Sequence, residues 1–206
     1  MSGELVATSK RLSWLLRHGA DEAGLAMDEA GWSEIHDVLR VLSITREELD
    51  LAVSQNDKVR LVVAGDLIRA GQGHSLAGMP VTREALEASW DRFQPEGPLW
   101  HGTRVAAMTG IADQGIVPGQ RSHVHLAVAA DSQVGKRSSV DLLLEVSPPR
   151  LEEAGIGIFL APNGVVLVRW VPAAAITGLR TESKAGRAGV HDALALLGLP
   201  RASEAN

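Results

Sequence analysis

Cysteine is absent from the 206 residues. That excludes disulfides, thiolate metal sites and cysteine nucleophiles. Lysine is scarce: Lys10, Lys58, Lys136 and Lys184 are the only four, so sixteen of the 20 cations are arginine. No apolar run approaches the roughly 18 residues of a membrane span. The opening Met-Ser-Gly-Glu-Leu-Val has no basic end followed by an apolar core. The expectation is therefore a cytoplasmic protein without a signal peptide. Positive charge is not in excess either. A net charge of −5 leaves no global basic field to hold long nucleic acid non-specifically. Any phosphate recognition must be local and built from a few placed arginines. The 45% of apolar residues suffice for one large domain or two small ones with real cores.

The apolar spacing divides the chain. Leu12, Leu15 and Leu16 mark a helix that Gly19 can close as its C′ residue. Ile35, Val38, Leu39 and Leu42 mark a second. Thr45-Arg-Glu-Glu48 is a capping box opening a third, through about Ser54. Val59 to Val63 and Leu67 to Ala70, around Ala64-Gly65-Asp66, read as a hairpin. Three helices and a hairpin give a winged-helix-like order or an unspecialised α+β lobe. A glycine-rich stretch and a polar helix from about Thr82 lead to Gln94-Pro-Glu-Gly-Pro98. Beyond it, Val105, Met108, Ile111 and Ala112 mark a helix ended by Gly115. Strands follow near 123–127, 140–146, 157–160 and 165–170, with Asn163-Gly164 as the hairpin signal between the last two. A short helix is expected near 193–199.

Cationic side chains recur beside glycines in separate segments: Arg17-His18-Gly19, Arg69-Ala-Gly-Gln72-Gly73-His74-Ser75, His101-Gly102-Thr103, Arg121-Ser122-His123-Val124-His125 and Gly135-Lys136-Arg137. None carries a carboxylate pair. Arginine presents a planar fork of donors that fits phosphate and keeps its charge at any working pH. Each segment alone has a plainer reading. Arg17 and His18 could simply pair with a helix dipole. The loop from Gly71 to Ser75 could be only solvated chain. His101-Gly102-Thr103, between a strand and a helix, could offer free N–H groups to a diphosphate, or Thr103 could be an N-cap. His123 and His125 alternate on a strand, so both should project from one face. As a metal pair they lack a third ligand at a usual spacing, and no metal is expected.

Taken together and in order, these stretches resemble the RNA 2′-phosphotransferase (KptA) family. The resemblance rests on Ser9-Lys-Arg-Leu-Ser-Trp-Leu-Leu-Arg17-His18, Gly24-Leu-Ala-Met-Asp-Glu-Ala-Gly-Trp32, Ile68-Arg69-Ala-Gly-Gln72-Gly73-His74-Ser75, Leu99-Trp-His101-Gly102-Thr103, Arg121-Ser-His123-Val-His125-Leu126, Gly135-Lys-Arg137 and Asn163-Gly-Val165. It covers about residues 9 to 180. One departure is Gly71, where the family pattern usually has asparagine.

The resemblance implies an α+β enzyme of two lobes. Residues 1–80 would be a winged-helix-like RNA-binding lobe and 81–98 a linker. Residues 99–206 would be a mainly β, ADP-ribosyltransferase-like lobe that binds NAD. The implied reaction moves an internal RNA 2′-phosphate, of the kind left by tRNA splicing, to NAD. It releases nicotinamide and ADP-ribose 1″,2″-cyclic phosphate by way of an ADP-ribosylated RNA intermediate. One histidine and three arginines would be essential. Arg17, His18 and Arg69 match the first three, and the fourth is Arg137 or Arg121, with Arg137 favoured. His101, Gly102, Thr103, His123 and His125 would bind NAD. Gln72, His74 and Ser75 would contact the RNA. NAD is the co-substrate, no metal takes part, and the protein would be a monomer. The alternative enzyme reading is NAD-dependent ADP-ribosylation of terminal phosphates on RNA or DNA. A non-catalytic regulator sensing NAD or RNA ends is the alternative of another class.

Overall fold

A computed structural model describes residues 3–55, 59–132 and 140–200. The chain forms two compact units of mixed α and β structure. The first comprises Met1–Asp91 with Gly119–Ser122 and Ala161–Asn163, and the second holds Arg92–Pro118, His123–Leu160 and Gly164–Asn206. Residues 81–91 thus pack within the first unit, as does the short segment that carries Arg121. Among the described residues no helix is long and apolar enough to cross a membrane.

The first unit opens with α1 (Gly3–His18), which buries Leu5, Leu12, Leu15 and Leu16. The four leucines fall on one stripe of the helix, as the 3.6-residue period requires. Gly19 follows but is not left-handed: the first glycine with positive φ is Gly24. Its role is spatial instead, because a Cβ there would run into the Trp14 ring. After β1 (Ser33–Glu34), α2 (Ile35–Leu42) ends on Ser43 in the left-handed region. In α3 (Arg46–Ser54) both halves of the capping box form, with Thr45 Oγ1 accepting from the Glu48 amide. Two orphan donors at the helix start are thereby satisfied. β2 (Leu61–Ala64) and β3 (Leu67–Ala70) pair antiparallel, with Leu61 opposite Ala70 and Val62 opposite Arg69. β1 adds to the outer side of β3. Then α4 (Arg83–Ala88) starts on Thr82, whose hydroxyl accepts from the Ala85 amide.

The second unit is built on two antiparallel sheets. β5 (Leu99–Thr103), β7 (Leu142–Val146) and β10 (Ile176–Thr181) run in the order β10-β7-β5. The other sheet has the order β4-β8-β9-β6, from β4 (Asp91–Arg92), β6 (Val124–Leu126), β8 (Phe159–Leu160) and β9 (Val166–Val168). Asn163-Gly164 lies in the turn between the paired β8 and β9, with Gly164 at φ 77°. Alternation sorts the faces. Leu99, Leu142, Leu144 and Val146 join Val124, Leu126, Val166 and Val168 in the main core. Trp100 and Leu143 face the other way, with Ala127. Around the sheets lie α5 (Met108–Gln114), α6 (Pro148–Glu153) and α7 (Lys184–Leu196).

Candidate active site

Arg17 and His18 are the last two residues of α1. The loop after β3 folds back on them. The Ser75 amide donates to the Arg17 carbonyl at 2.9 Å, and Ser75 Oγ lies 2.8 Å from His18 Nδ1. Gly73, at φ 89°, makes this possible. It adopts a conformation that side chains disfavour, and its missing Cβ would meet Arg17 Nε at 3.5 Å. Ser75 also pairs with Arg121 in a single antiparallel bridge. The Arg121 segment is held in place by its neighbour: the Ser122 amide donates to the His74 carbonyl at 2.8 Å, and Arg83 Nε to the Ser122 carbonyl at 3.1 Å.

The electrostatics of this cluster are those of an anion site. Nε and Nη2 of Arg17 are buried without a hydrogen-bond partner among the described residues. Burial, then the charges of Arg60 and Arg121, push the Arg17 guanidinium down to about 10. The neighbouring charges that act on it are thus cations. His18 is held below its ordinary 6.5 by burial and by Arg17 and Arg121. A buried guanidinium with unmatched donors costs several kcal/mol unless something anionic completes it, on the order of 1–3 kcal/mol per unmade bond.

Arg69 is a second buried guanidinium, and its Nε too is buried without a hydrogen-bond partner among the described residues. It is 4% exposed on β3. Nη1 donates to Ser89 Oγ at 2.6 Å and to the Ala30 carbonyl at 3.3 Å, and Nη2 to the Ser89 carbonyl at 3.2 Å. The guanidinium also stacks over the Trp32 ring, 4.7 Å from its centre. Burial lowers its pKa, with the Asp28 carboxylate working against that. His74 is fully buried, against Gly31: a Cβ at Gly31 would sit 2.7 Å from its Nε2. Its ring lies inside the unit rather than on the surface, while Gln72 is partly exposed. The Gly71 amide donates to the Arg60 carbonyl, and the Gly71 carbonyl accepts from Trp90 Nε1. A Cβ there would make only ordinary contacts, the nearest at 3.6 Å, so the position does not require glycine for room at Cβ.

In the second unit His101, Gly102 and Thr103 end β5 itself rather than following it. The residue at the N-cap of the short 3-10 turn before α5 is Arg104, so Thr103 caps nothing. Alternation sends His101 and Gly102 to opposite faces. His101 Nδ1 donates to the His125 carbonyl at 3.1 Å, so that nitrogen carries the proton. Gly102 is glycine because Val140 occupies its Cβ position. Thr103 is buried, with its carbonyl accepting from the Asp141 amide at 2.8 Å. β6 takes in His125, while His123 stands immediately before the strand and is 1% exposed. Gly135, Lys136 and Arg137 lie outside the described residues.

Three further residues had been given no role by the motifs. Arg60 stands across the hairpin from Gly71, one step beyond the Leu61–Ala70 pair. The hairpin register alone would have placed it beside the loop. Trp14 precedes His18 by one helical turn and is 48% exposed. Its large exposed ring is unusual for tryptophan. Asp141 joins the end of β5 to α7: it accepts from Ser183 Oγ at 2.7 Å and from the Val105 amide at 3.2 Å.

A buried cation with unmatched donors, beside two more guanidiniums and an imidazole, is an arrangement that suits a phosphate. Comparison with known proteins gives the family. The profile described as RNA 2′-phosphotransferase, Tpt1/KptA family, matches residues 3–169. A probable RNA 2′-phosphotransferase of Pseudomonas savastanoi pv. phaseolicola is 38% identical over 181 residues, covering 84% of this chain and 93% of that protein. One from Rhodopirellula baltica is 37% identical over 183 residues, with 84% and 96% covered. One from Rhizobium johnstonii is 31% identical over 171 residues, with 80% and 89% covered. This chain belongs to the Tpt1/KptA family of RNA 2′-phosphotransferases.

Proposed function

We propose that the protein transfers an internal RNA 2′-phosphate to NAD, releasing nicotinamide and ADP-ribose 1″,2″-cyclic phosphate and leaving a 2′-hydroxyl on the RNA. The observation that carries this is Arg17, whose buried donors lack partners and whose charged neighbours are Arg60 and Arg121. A phosphate dianion completes that group. Family membership supports RNA as the bearer of the phosphate, and the same reading takes the first unit as winged-helix-like and the second as ADP-ribosyltransferase-like.

The chemistry suits the side chains. A 2′-phosphate is already an anion, so no base is needed to make it a nucleophile toward the ribose carbon that bears nicotinamide. Arg17, Arg60 and Arg121 hold it against the repulsion of a second anionic reactant. In the second step a ribose hydroxyl attacks phosphorus, the bond from phosphorus to the RNA 2′-oxygen breaks, and that oxygen takes a proton. Charge builds on the phosphoryl oxygens, where the guanidiniums and the His18 imidazolium stabilise it. Bound phosphate favours the charged imidazole and so opposes the cationic neighbours that hold His18 low. Ser75 Oγ fixes the ring from Nδ1, leaving Nε2 as the working edge.

For NAD, the fit is through imidazoles. His101 and His125 stand on neighbouring strands, and His101 is locked by its Nδ1 bond. Val140 fills the Cβ direction of Gly102, and Thr103 is buried beside it. NAD supplies the electrophilic ribose carbon and the nicotinamide leaving group.

The test is mass spectrometry of products from a 2′-phosphorylated oligonucleotide incubated with NAD and excess chelator. Nicotinamide, ADP-ribose cyclic phosphate and dephosphorylated RNA are expected in equal amounts. Release of inorganic phosphate without NAD consumption overturns the proposal.

A further inference from the structure

Lys10, Trp14 and His18 recur at intervals of four along α1, with Arg17 beside the last. This spacing puts them in line on one face of the helix. Lys10, Trp14 and His18 are all exposed. The indole is not loose: it lies across Gly19, on ground that any Cβ would occupy. A bare glycine therefore lets a flat aromatic surface rest beside the cation cluster, with 48% of the tryptophan in solvent. Trp14 to His18 is four residues, about 6 Å along the helix axis. A base next to a phosphate held by Arg17 and His18 would lie within reach of that ring.

We propose that Trp14 is a stacking platform for an unpaired nucleobase adjoining the 2′-phosphorylated nucleotide. The proposal rests on the function given above and adds a base-binding subsite to it. The occupant follows from the company the ring keeps. Arg17, with Arg60 and Arg121 acting on it, draws an anion, and an apolar protein surface would leave the buried Arg17 donors unmatched. An RNA strand meets both demands, because every base has a π-face and every nucleotide a phosphate. The overall charge of −5 sharpens the need: with no basic field, affinity must come from a few contacts. Stacking also tolerates any base identity, so the subsite would hold the strand without selecting sequence.

The experiment measures binding of a short fluorescent RNA with one internal 2′-phosphate, by anisotropy and without NAD. Wild type, Trp14→Ala and Trp14→Phe are compared, each with the intact oligomer and with oligomers in which one flanking nucleotide or the other is abasic. Trp14→Ala should weaken binding of intact RNA about 5- to 100-fold, and Trp14→Phe much less. Removing the stacked base should cost wild type a similar factor, and the alanine variant should then lose nothing more. Wild type that binds intact and both abasic oligomers equally overturns the platform, and that arm needs no variant to fold. A loss in Trp14→Ala that is equal for all oligomers also overturns it. Failure of the underlying function looks different: wild type would bind the 2′-phosphorylated oligomer no better than its 2′-hydroxyl counterpart.

Discussion

Replacing Arg69 separates support from chemistry. The side chain is 4% exposed and makes three hydrogen bonds, two to Ser89 and one to the Ala30 carbonyl, while stacking on Trp32. Hydrogen bonds from a charged donor contribute about 1.5–3 kcal/mol each, counting the buried partners left behind. A largely desolvated cation–π contact adds about 1–2 kcal/mol. These terms overlap, because one rigid fork makes them all, so Arg69→Ala should cost about 3–5 kcal/mol. Arg69→Lys keeps the charge but not the fork or the flat stack, and should cost about 2–3 kcal/mol. The assay is urea unfolding followed by tryptophan emission. With a slope near 2 kcal/mol per molar, the alanine midpoint should fall by about 1.5–2.5 M. Activity measured where circular dichroism shows each variant folded then reports chemistry alone. An Arg69→Ala midpoint within about 0.3 M of wild type refutes the brace, since even one lost buried bond should exceed that.

Two further outcomes follow from the electrostatics. Arg121 is one of the cations that hold His18 low, so Arg121→Ala should raise the His18 pKa toward 6.5, read from the imidazole proton resonances across a pH titration; an unchanged value would mean the two groups are not neighbours in solution. Asp141 is held below 3.8, first by the Ser183 hydroxyl and then by the Val105 amide. A depressed carboxylate contributes stability above its unfolded pKa and loses it as pH falls through the folded value. The melting temperature of Asp141→Asn should therefore lie below wild type by a constant gap from pH 6 to 8, and the gap should close below about pH 4; a gap that widens on acidification contradicts the assignment.

Much of the first unit was legible because its signals are local. The leucine stripe of α1, the Thr45–Glu48 capping box and the β2–β3 hairpin each need only a few neighbouring residues to specify them. What stayed hidden depends on contacts distant in sequence. β1 is two residues long and exists only as a partner to β3. β10 was invisible because its pairing with β7 shifts register between Ile176 and Gly178, which breaks the alternation that announces a strand. α7 begins at Lys184, well before the expected 193, because Gly186 and Gly189 read as helix breakers. Both are packing glycines: a Cβ on the first would strike the Asp141 carbonyl, and on the second would lie 2.6 Å from Val105. α6 carried a readable signal, proline at the first helical positions, in a helix of six residues.

The site divides along the same line. Arg17, His18, Ser75 and Arg121 come from three segments that the motifs had marked, and the fold draws them together. Their glycines have separate duties that no motif distinguishes. Gly73 takes a left-handed turn against Arg17, Gly31 makes room for His74, Gly19 for Trp14 and Gly102 for Val140. A motif marks a position where backbone and side chain must come close, but not which side chain arrives. That is why Arg69 and His74, which stand in one motif with Ser75, turn out to be held by Ser89, Ala30 and Gly31 inside the first unit. Ser75 touches the imidazole beside Arg17, two of whose donors are unmatched among the described residues. The loop after β3 turns His74 inward and places Ser75 within a hydrogen bond of His18.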